Sequence, residues 1–108
     1  KIEGTYIGTG SLLTGANVDE NYTDVNVIIK RIDRNHVSVN VIESGEEYFE
    51  APLLYEVVAN KNNGFNLVMD KLPDAVIRIS KDGKLHFNHK KVNIDNVIYT
   101  LDIKAKKR

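Results

Sequence analysis

Three histidines, at positions 36, 86 and 89, are the side chains of this sequence best suited to bind a metal ion or transfer a proton. His86 and His89 are three residues apart in a segment that alternates like a strand, so their side chains point to opposite faces. They cannot hold one metal ion together while that strand is intact. The chain has no cysteine, which excludes a thiolate metal site and a thiol nucleophile. The histidines are interpreted as surface or rim residues, and no metal site is predicted.

The stretch from Asn17 to Thr23 carries oxygen-bearing side chains at every second position, as the start of a calcium-binding loop does. Such a loop also needs glycine at its sixth position and glutamate at its twelfth, where this sequence has Tyr22 and Ile28. The mismatch favours a solvated polar loop over residues 14–21.

Catalytic motifs are incomplete in this sequence. Four glutamates crowd one predicted turn region, namely Glu43, Glu46, Glu47 and Glu50. Paired carboxylates can perform glycosidic chemistry, but a solvated acidic hairpin is the commoner outcome. Gly8 and Gly10 lack the third glycine of a phosphate-binding fingerprint, because Leu13 stands in its place, and no serine lies in a Gly-x-Ser-x-Gly elbow. The sequence predicts no enzyme activity, no catalytic residue and no cofactor.

The charge distribution restricts the classes of partner. The formal net charge is +0, so no field of the whole molecule favours nucleic acid, and no nucleic-acid partner is predicted. Lys104 and the run Lys106–Arg108 form a basic tail, which is interpreted as a frayed, solvated C-terminus. No apolar run approaches the roughly 18 residues that a membrane-spanning helix needs.

Apolar and polar residues alternate in short runs separated by turn residues, which is the pattern of β-strands. The clearest runs are Val25–Ile29, Val37–Val41, Phe65–Met69, Ile77–Ile79 and Leu85–His89. Asp82-Gly83 lies between two of them and is the strongest hairpin signal in the chain. Ile32 falls out of phase with Ile29, which predicts a bulge near Lys30. The spacing of the runs predicts about eight strands and no long helix.

Residues 47–60 fit two structures. As a strand, they place alternate apolar side chains on one face, and Pro52 marks a kink or an edge. As a helix, they would begin with Pro52 at the first position and Ala51 as a poor N-cap, and would contain the adjacent Val57 and Val58. The weak cap and the two valines favour the strand, and the short helix over 52–60 stays the alternative.

The first and last strands are expected to pair. Gly4–Gly10 combines β-branched and aromatic residues with glycines that allow a bend or a close approach, and Val97–Lys104 is the longest clean strand pattern. Closure of an eight-stranded meander removes its exposed edges. The chain is therefore predicted to be one all-β domain over residues 1–108, an antiparallel up-and-down barrel of about eight strands.

The opening Gly4-Thr5-Tyr6 and the meander that follows resemble the calycin superfamily, which includes the lipocalins, where a Gly-x-Trp near the start plugs one end of the barrel. Together with the late Asp82-Gly83-Lys84-Leu85, the opening is similar to the small lipocalin-like domains of Bacteroidetes envelope proteins. This resemblance implies a secreted or envelope protein, either periplasmic or an outer-membrane lipoprotein. Its only membrane contact would be an N-terminal lipid anchor outside this chain.

Two functions follow from the predicted barrel. In the first, the lumen holds a small apolar ligand, with Tyr6, Tyr55, Phe87 and Tyr99 lining or gating it. In the second, the barrel is filled, and loops 14–21 and 60–64 contact a cell-surface protein or a glycan. A connected apolar cavity of about 300 Å³ or more would favour the carrier, and a packed core would favour the interaction module.

Overall fold

The computed structural model describes residues 2–92 and 94–108, which form nine β-strands and no helix. Within these ranges, no helix is long and apolar enough to cross a membrane. The strands are β1 (Gly4–Thr14), β2 (Asn17–Arg31), β3 (His36–Glu43), β4 (Glu46–Glu47), β5 (Leu53–Ala59), β6 (Phe65–Val68), β7 (Ile77–Ile79), β8 (Lys84–Val92) and β9 (Ile98–Lys107).

The strands form one antiparallel sheet that closes on itself. β1 pairs with β2 on one side and with β9 on the other, from Tyr6 opposite Lys107 to Thr14 opposite Tyr99. β2 pairs in turn with β3, which completes the ring. Eight strands make the closed up-and-down barrel, and the two-residue β4 lies beside it on the edge of β3. The predicted barrel and the predicted pairing of the first and last strands are both confirmed.

The two ends of the barrel carry different turns, because antiparallel neighbours reverse direction at alternate ends. The lower end comprises the start of β1, the end of β9 and the turns 31–36, 59–65 and 79–84. The upper end comprises the turns 14–17, 43–46 and 68–77, the end of β8 and the start of β9. These two names are used below for the two openings of the barrel.

The ambiguous segment contains a strand, as favoured. β5 runs from Leu53 to Ala59 and pairs with β3 and β6. Pro52 directly precedes β5. At this position the missing N–H of proline does not remove a hydrogen bond between strands. β4 and β5 share the same edge of β3, and the segment Tyr48–Pro52, here named the strap, interrupts the strand between them.

The expected loop over 14–21 is wrong. β1 continues to Thr14 and β2 already begins at Asn17, so the turn is only Gly15 and Ala16, with Gly15 in the left-handed region at φ 61°. The two strands stay paired to the end of the hairpin, although the side chains of residues 17–21 of β2 are exposed. The sequence pattern missed this because polar residues at exposed strand positions resemble a loop.

The bulge expected near Lys30 is also wrong, because the β2–β3 register is regular from Val25 to Arg31. The register of β1 with β2 shifts instead between Gly8 and Gly10, where one residue of β1 faces two of β2. A bulge reverses the phase of the strand beyond it, and this one turns Tyr22 toward the core.

One apolar core fills the barrel from the lower end to the middle. Its largest fully buried side chains are Tyr6, Tyr55, Phe87, Ile29, Leu67, Ile77 and Ile103. They come from alternate positions of the strands, as the inward face of a barrel requires. Valines of β2 and β3 at positions 25, 27, 37, 39 and 41 complete the wall.

The C-terminus is not frayed, contrary to the interpretation of the basic tail. β9 extends to Lys107, and the Arg108 amide donates to the Thr5 carbonyl at 3.0 Å. The Lys107 amide donates to the Gly83 carbonyl at 2.7 Å. The terminal residues are held because β9 is the strand that closes the barrel.

Candidate functional site

A cavity of about 720 Å³ lies at the upper end of the barrel, above the packed core. Its apolar lining residues are Leu12, Phe49, Leu53, Leu72, Val92 and Leu101. Its remaining lining residues carry polar atoms and are Tyr48, Glu50, His89, Lys90 and Tyr99. An apolar concavity with a few polar groups is the usual form of a small-molecule site.

Three of the lining residues lie side by side on the neighbouring strands β1, β9 and β8. Leu12 of β1 is directly opposite Leu101 of β9, and Leu101 is directly opposite His89 of β8. Directly opposed residues of antiparallel strands share a face, so all three side chains point inward. The row one step below contains Gly10, Ile103 and Phe87, and it belongs to the core.

Aromatic rings form the floor of the cavity. The His89 imidazole stacks on the Phe87 ring, with a centroid distance of 5.8 Å and an interplanar angle of 22°. Phe49, from the strap, lies 6.4 Å from Phe87 and 6.1 Å from His89. Phe87 is fully buried, so Phe49 and His89 separate it from the cavity.

The strap is anchored at its first residue. The Tyr48 amide donates to the Val41 carbonyl at 2.8 Å, so the strap starts as a continuation of the β4 ladder. The rings of Tyr48 and Phe49 meet edge to face, with centroids 4.9 Å apart. The strap therefore holds two rings against the cavity with one backbone hydrogen bond to β3.

The four predicted ligand residues do not share one site. Tyr99 lines the upper cavity. Phe87 lies beneath it in the core. Tyr6 lies at the lower end, beside a separate depression of about 480 Å³. Its hydroxyl donates to the Ile2 carbonyl at 2.7 Å, and burial followed by the charge of Glu3 raises its pKa to about 12. Tyr55 lies in the wall between these ends.

Tyr55 is almost completely buried, with 1% of its surface exposed. Its hydroxyl has no hydrogen-bond partner within the described ranges, and burial raises its pKa. It lines a side opening of about 370 Å³ between β5 and the chain that follows β6, together with Leu54 and Met69. The opening exists because β5 and β6 pair only from Glu56 opposite Val68 onward.

A half-buried carboxyl lies on one side of the upper end. Glu43 continues the inward phase of Val39 and Val41, and its Oε1 atom is buried without a hydrogen-bond partner in the described part of the chain. Burial, and then the charge of Glu20, raise the pKa of Glu43 to about 7. The acidic hairpin interpretation overlooked this because it treated the glutamates as one solvated group, although the phase of β3 singles out Glu43.

The histidines lie in three different environments. His86 and His89 point to opposite faces of β8, as predicted: His86 Nε2 lies 2.7 Å from Asp102 Oδ1 on the outer face, and His89 points inward. His36 Nδ1 lies 2.8 Å from Asp33 Oδ1 in the turn before β3. Among residues 2–92 and 94–108, no three histidine or acidic side chains form a group that could hold a metal ion.

Several lining residues were not predicted to bind a ligand, above all Leu12, Phe49 and Leu101. His89 was interpreted only as a surface or rim residue. Their signal was the alternating phase, which put His89 on the same face as Phe87 and Leu101 on the same face as Tyr99. The sequence did not show which of the inward-facing residues along each strand lie at the upper end of the barrel. Comparison with protein-family models, with curated proteins and with solved structures gave no match.

Proposed function

We propose that this barrel binds a small apolar ligand in the cavity at its upper end. The observation that carries the proposal is the cavity itself, since about 720 Å³ lined mainly by leucine, valine and aromatic side chains falls within the range of small-molecule sites. The volume also exceeds the roughly 300 Å³ above which a cavity favours a ligand carrier over an interaction module.

The packed core limits the depth of the proposed site. Phe87, Leu67 and Ile103 are fully buried directly beneath the cavity, so a ligand would lie at the mouth and would not thread the lumen. His89, Tyr99 and Tyr48 are placed around the cavity so that they could orient a polar atom of the ligand. The proposed ligand has an apolar body and few polar groups.

The proposed role is that of a binding protein without catalysis. The proposed setting is the cell envelope or the secreted fraction, with membrane contact only through a lipid anchor outside this chain. Support for the setting comes from the resemblance of the opening strand and of Asp82-Gly83-Lys84-Leu85 to lipocalin-like envelope domains. The barrel architecture is compatible with that resemblance.

Direct binding tests the proposal. N-phenyl-1-naphthylamine is an uncharged apolar fluorophore, and we expect it to bind the wild-type chain saturably at one site. Leu12→Trp should place an indole ring in the cavity, obstruct the ligand and weaken this binding at least tenfold. Ile32→Trp, which adds the same ring at an exposed position of the lower end, is the matched control and should bind as wild type does.

Ligand identity requires native mass spectrometry of protein purified from its own host, with a thermal-shift screen of fatty acids, haem-like molecules, bile acids and oligosaccharides. A ligand present at 100 times its Kd stabilises the protein by about 2.7 kcal/mol, which raises the Tm measurably. A bare mass, a flat screen and equal fluorophore binding by both tryptophan variants would refute the carrier function.

The alternative function is an interaction module, and the packed core favours it. The two candidate contact loops lie at opposite ends of the barrel, with the hairpin turn 14–17 at the upper end and the turn 60–64 at the lower end. The lower turn is preformed, because Asn60 Oδ1 accepts hydrogen bonds from the amides of Asn62 and Gly64, both at 3.0 Å. If the carrier tests fail, pull-downs with each turn scrambled separately identify the end that contacts a protein or glycan.

A further inference from the structure

Basic side chains are concentrated on the outer wall formed by β7, β8 and β9, away from the upper cavity. Arg78 is directly opposite His86, and His86 is directly opposite Lys104. Lys84 is directly opposite Lys106, two positions nearer the lower end. All five side chains are outward-facing, and Arg78, Lys84 and Lys104 line a groove of about 370 Å³ with His86 and Ser80. These five lining residues are named the basic groove, and Lys106 lies outside the lining, opposite Lys84.

The basic groove is unexpected for a chain with a formal net charge of +0. Like charges directly opposite one another across strands destabilise a sheet, and here Lys84 faces Lys106. Within the described ranges, Arg78, Lys104 and Lys106 make no ion pair. Packing does not explain why these exposed positions are basic, so the fold alone provides no reason for the charges.

The two carboxylates near the groove neutralise only part of its charge. Asp102 accepts one hydrogen bond from Asn88 and lies against His86, and the Asp82 carboxylate lies 4.0 Å from Lys84 Nζ at the turn. In the described part of the chain, Asp102 makes no ion pair with Arg78 or Lys104. Four lysine and arginine side chains face these two acids, so the groove keeps an excess of positive charge.

We propose that the basic groove binds a linear glycan that carries sulfate or phosphate groups. Arg78, His86 and Lys104 lie on three adjacent strands, so their α carbons span about 10 Å, which suits successive anionic groups along a chain. A concave groove on a convex wall accepts a chain better than it accepts a flat membrane. Among the described residues that line the groove there is no phenylalanine, tyrosine or tryptophan, and the His86 imidazole lies against Asp102, which argues against a stacked single-stranded nucleic acid.

The test uses heparin, a linear sulfated polysaccharide, with the full chain at low and at physiological ionic strength. We expect saturable binding that weakens with salt, because exposed charges are screened. Fully desulfated heparin should bind much more weakly. Arg78→Gln/Lys104→Gln should raise the Kd for heparin roughly tenfold, at about threefold for each exposed charge contact.

The matched control is Lys30→Gln/Lys71→Gln, which removes two exposed positive charges outside the groove and should change the Kd less than twofold. Equal losses in both double variants, or equal binding of heparin and desulfated heparin, would refute a groove-specific site. Tighter binding to vesicles of phosphatidylglycerol and phosphatidylcholine, or to an oligothymidylate, would also refute the glycan assignment. Leu12→Trp should keep heparin binding, which separates this proposal from the upper cavity.

Discussion

Gly8 on β1 lies against the backbone of Lys104 on β9, at the seam where the barrel closes. A β carbon at Gly8 would overlap the Lys104 carbonyl oxygen and lie 2.5 Å from the α carbon of Ala105. These contacts are with backbone, which cannot rotate away. The closing strands can therefore approach each other at this point only because residue 8 has no side chain.

Gly8→Ala is expected to lower the free energy of unfolding by about 2–3 kcal/mol, because the added methyl forces β1 and β9 apart. Urea denaturation followed by circular dichroism measures the change. Thr9→Ala, at the exposed neighbouring position, should change stability by less than about 0.5 kcal/mol. Similar midpoints for both variants would show that the seam tolerates a side chain.

The stability of the protein should fall as pH rises from about 4.5 to about 7. The pKa of Glu43 in the folded protein lies above its ordinary value of 4.5, so the folded state binds one more proton than the unfolded state in this interval. Ionisation then leaves a half-buried charge beside Glu20. Because solvent screens a group this exposed, the expected contribution is only on the order of 1 kcal/mol.

Glu43→Gln should remove this part of the pH dependence, measured as the unfolding free energy at pH 4.5, 6 and 8. Glu46→Gln, which changes an exposed glutamate of the same edge, should keep the wild-type slope. An unchanged slope in Glu43→Gln would mean that the carboxyl is well solvated in the folded protein.

Removal of the two buried tyrosine hydroxyls should have different effects on the free energy of unfolding. Tyr6→Phe deletes the donor to the Ile2 carbonyl and should cost about 1 kcal/mol of stability. Tyr55→Phe deletes a buried hydroxyl without a partner in the described ranges, so stability should stay constant or rise by about 1 kcal/mol. Each variant is the control for the other, and a comparable loss in both would mean that the Tyr55 hydroxyl is hydrogen-bonded.

The strap should control release from the upper cavity. Phe49→Ala removes the ring that lies over Phe87 and His89, so we expect the fluorophore to dissociate at least several times faster. Stopped-flow displacement measures this rate. Phe65→Ala, which truncates a partly buried ring at the lower end, should leave the dissociation rate unchanged. Equal acceleration in both variants would indicate general loosening of the barrel.

Local pattern was sufficient to predict the strands that form the core and their inward faces, but not the strand residues 17–21. Seven of the inward residues expected from alternation, namely Tyr6, Val27, Val39, Tyr55, Leu67, Ile77 and Phe87, are buried. The predicted turn at Asp82-Gly83 forms, with Gly83 at φ 82°. These predictions succeeded because alternation and turn chemistry depend on residues close together in the chain.

The sequence alone determined the all-β class, the antiparallel meander and the pairing of its two ends, since each follows from local alternation and from the advantage of removing sheet edges. Only the tertiary structure decided which side chains meet. It places Leu12, Leu101 and His89 in one row at the cavity and Phe49 above Phe87. On the outer face, it places Arg78, His86 and Lys104 in one basic row. These contacts depend on the relative register of strands that are far apart in sequence. A bulge such as the one between Gly8 and Gly10 changes that register, and the alternation of a single strand does not contain it.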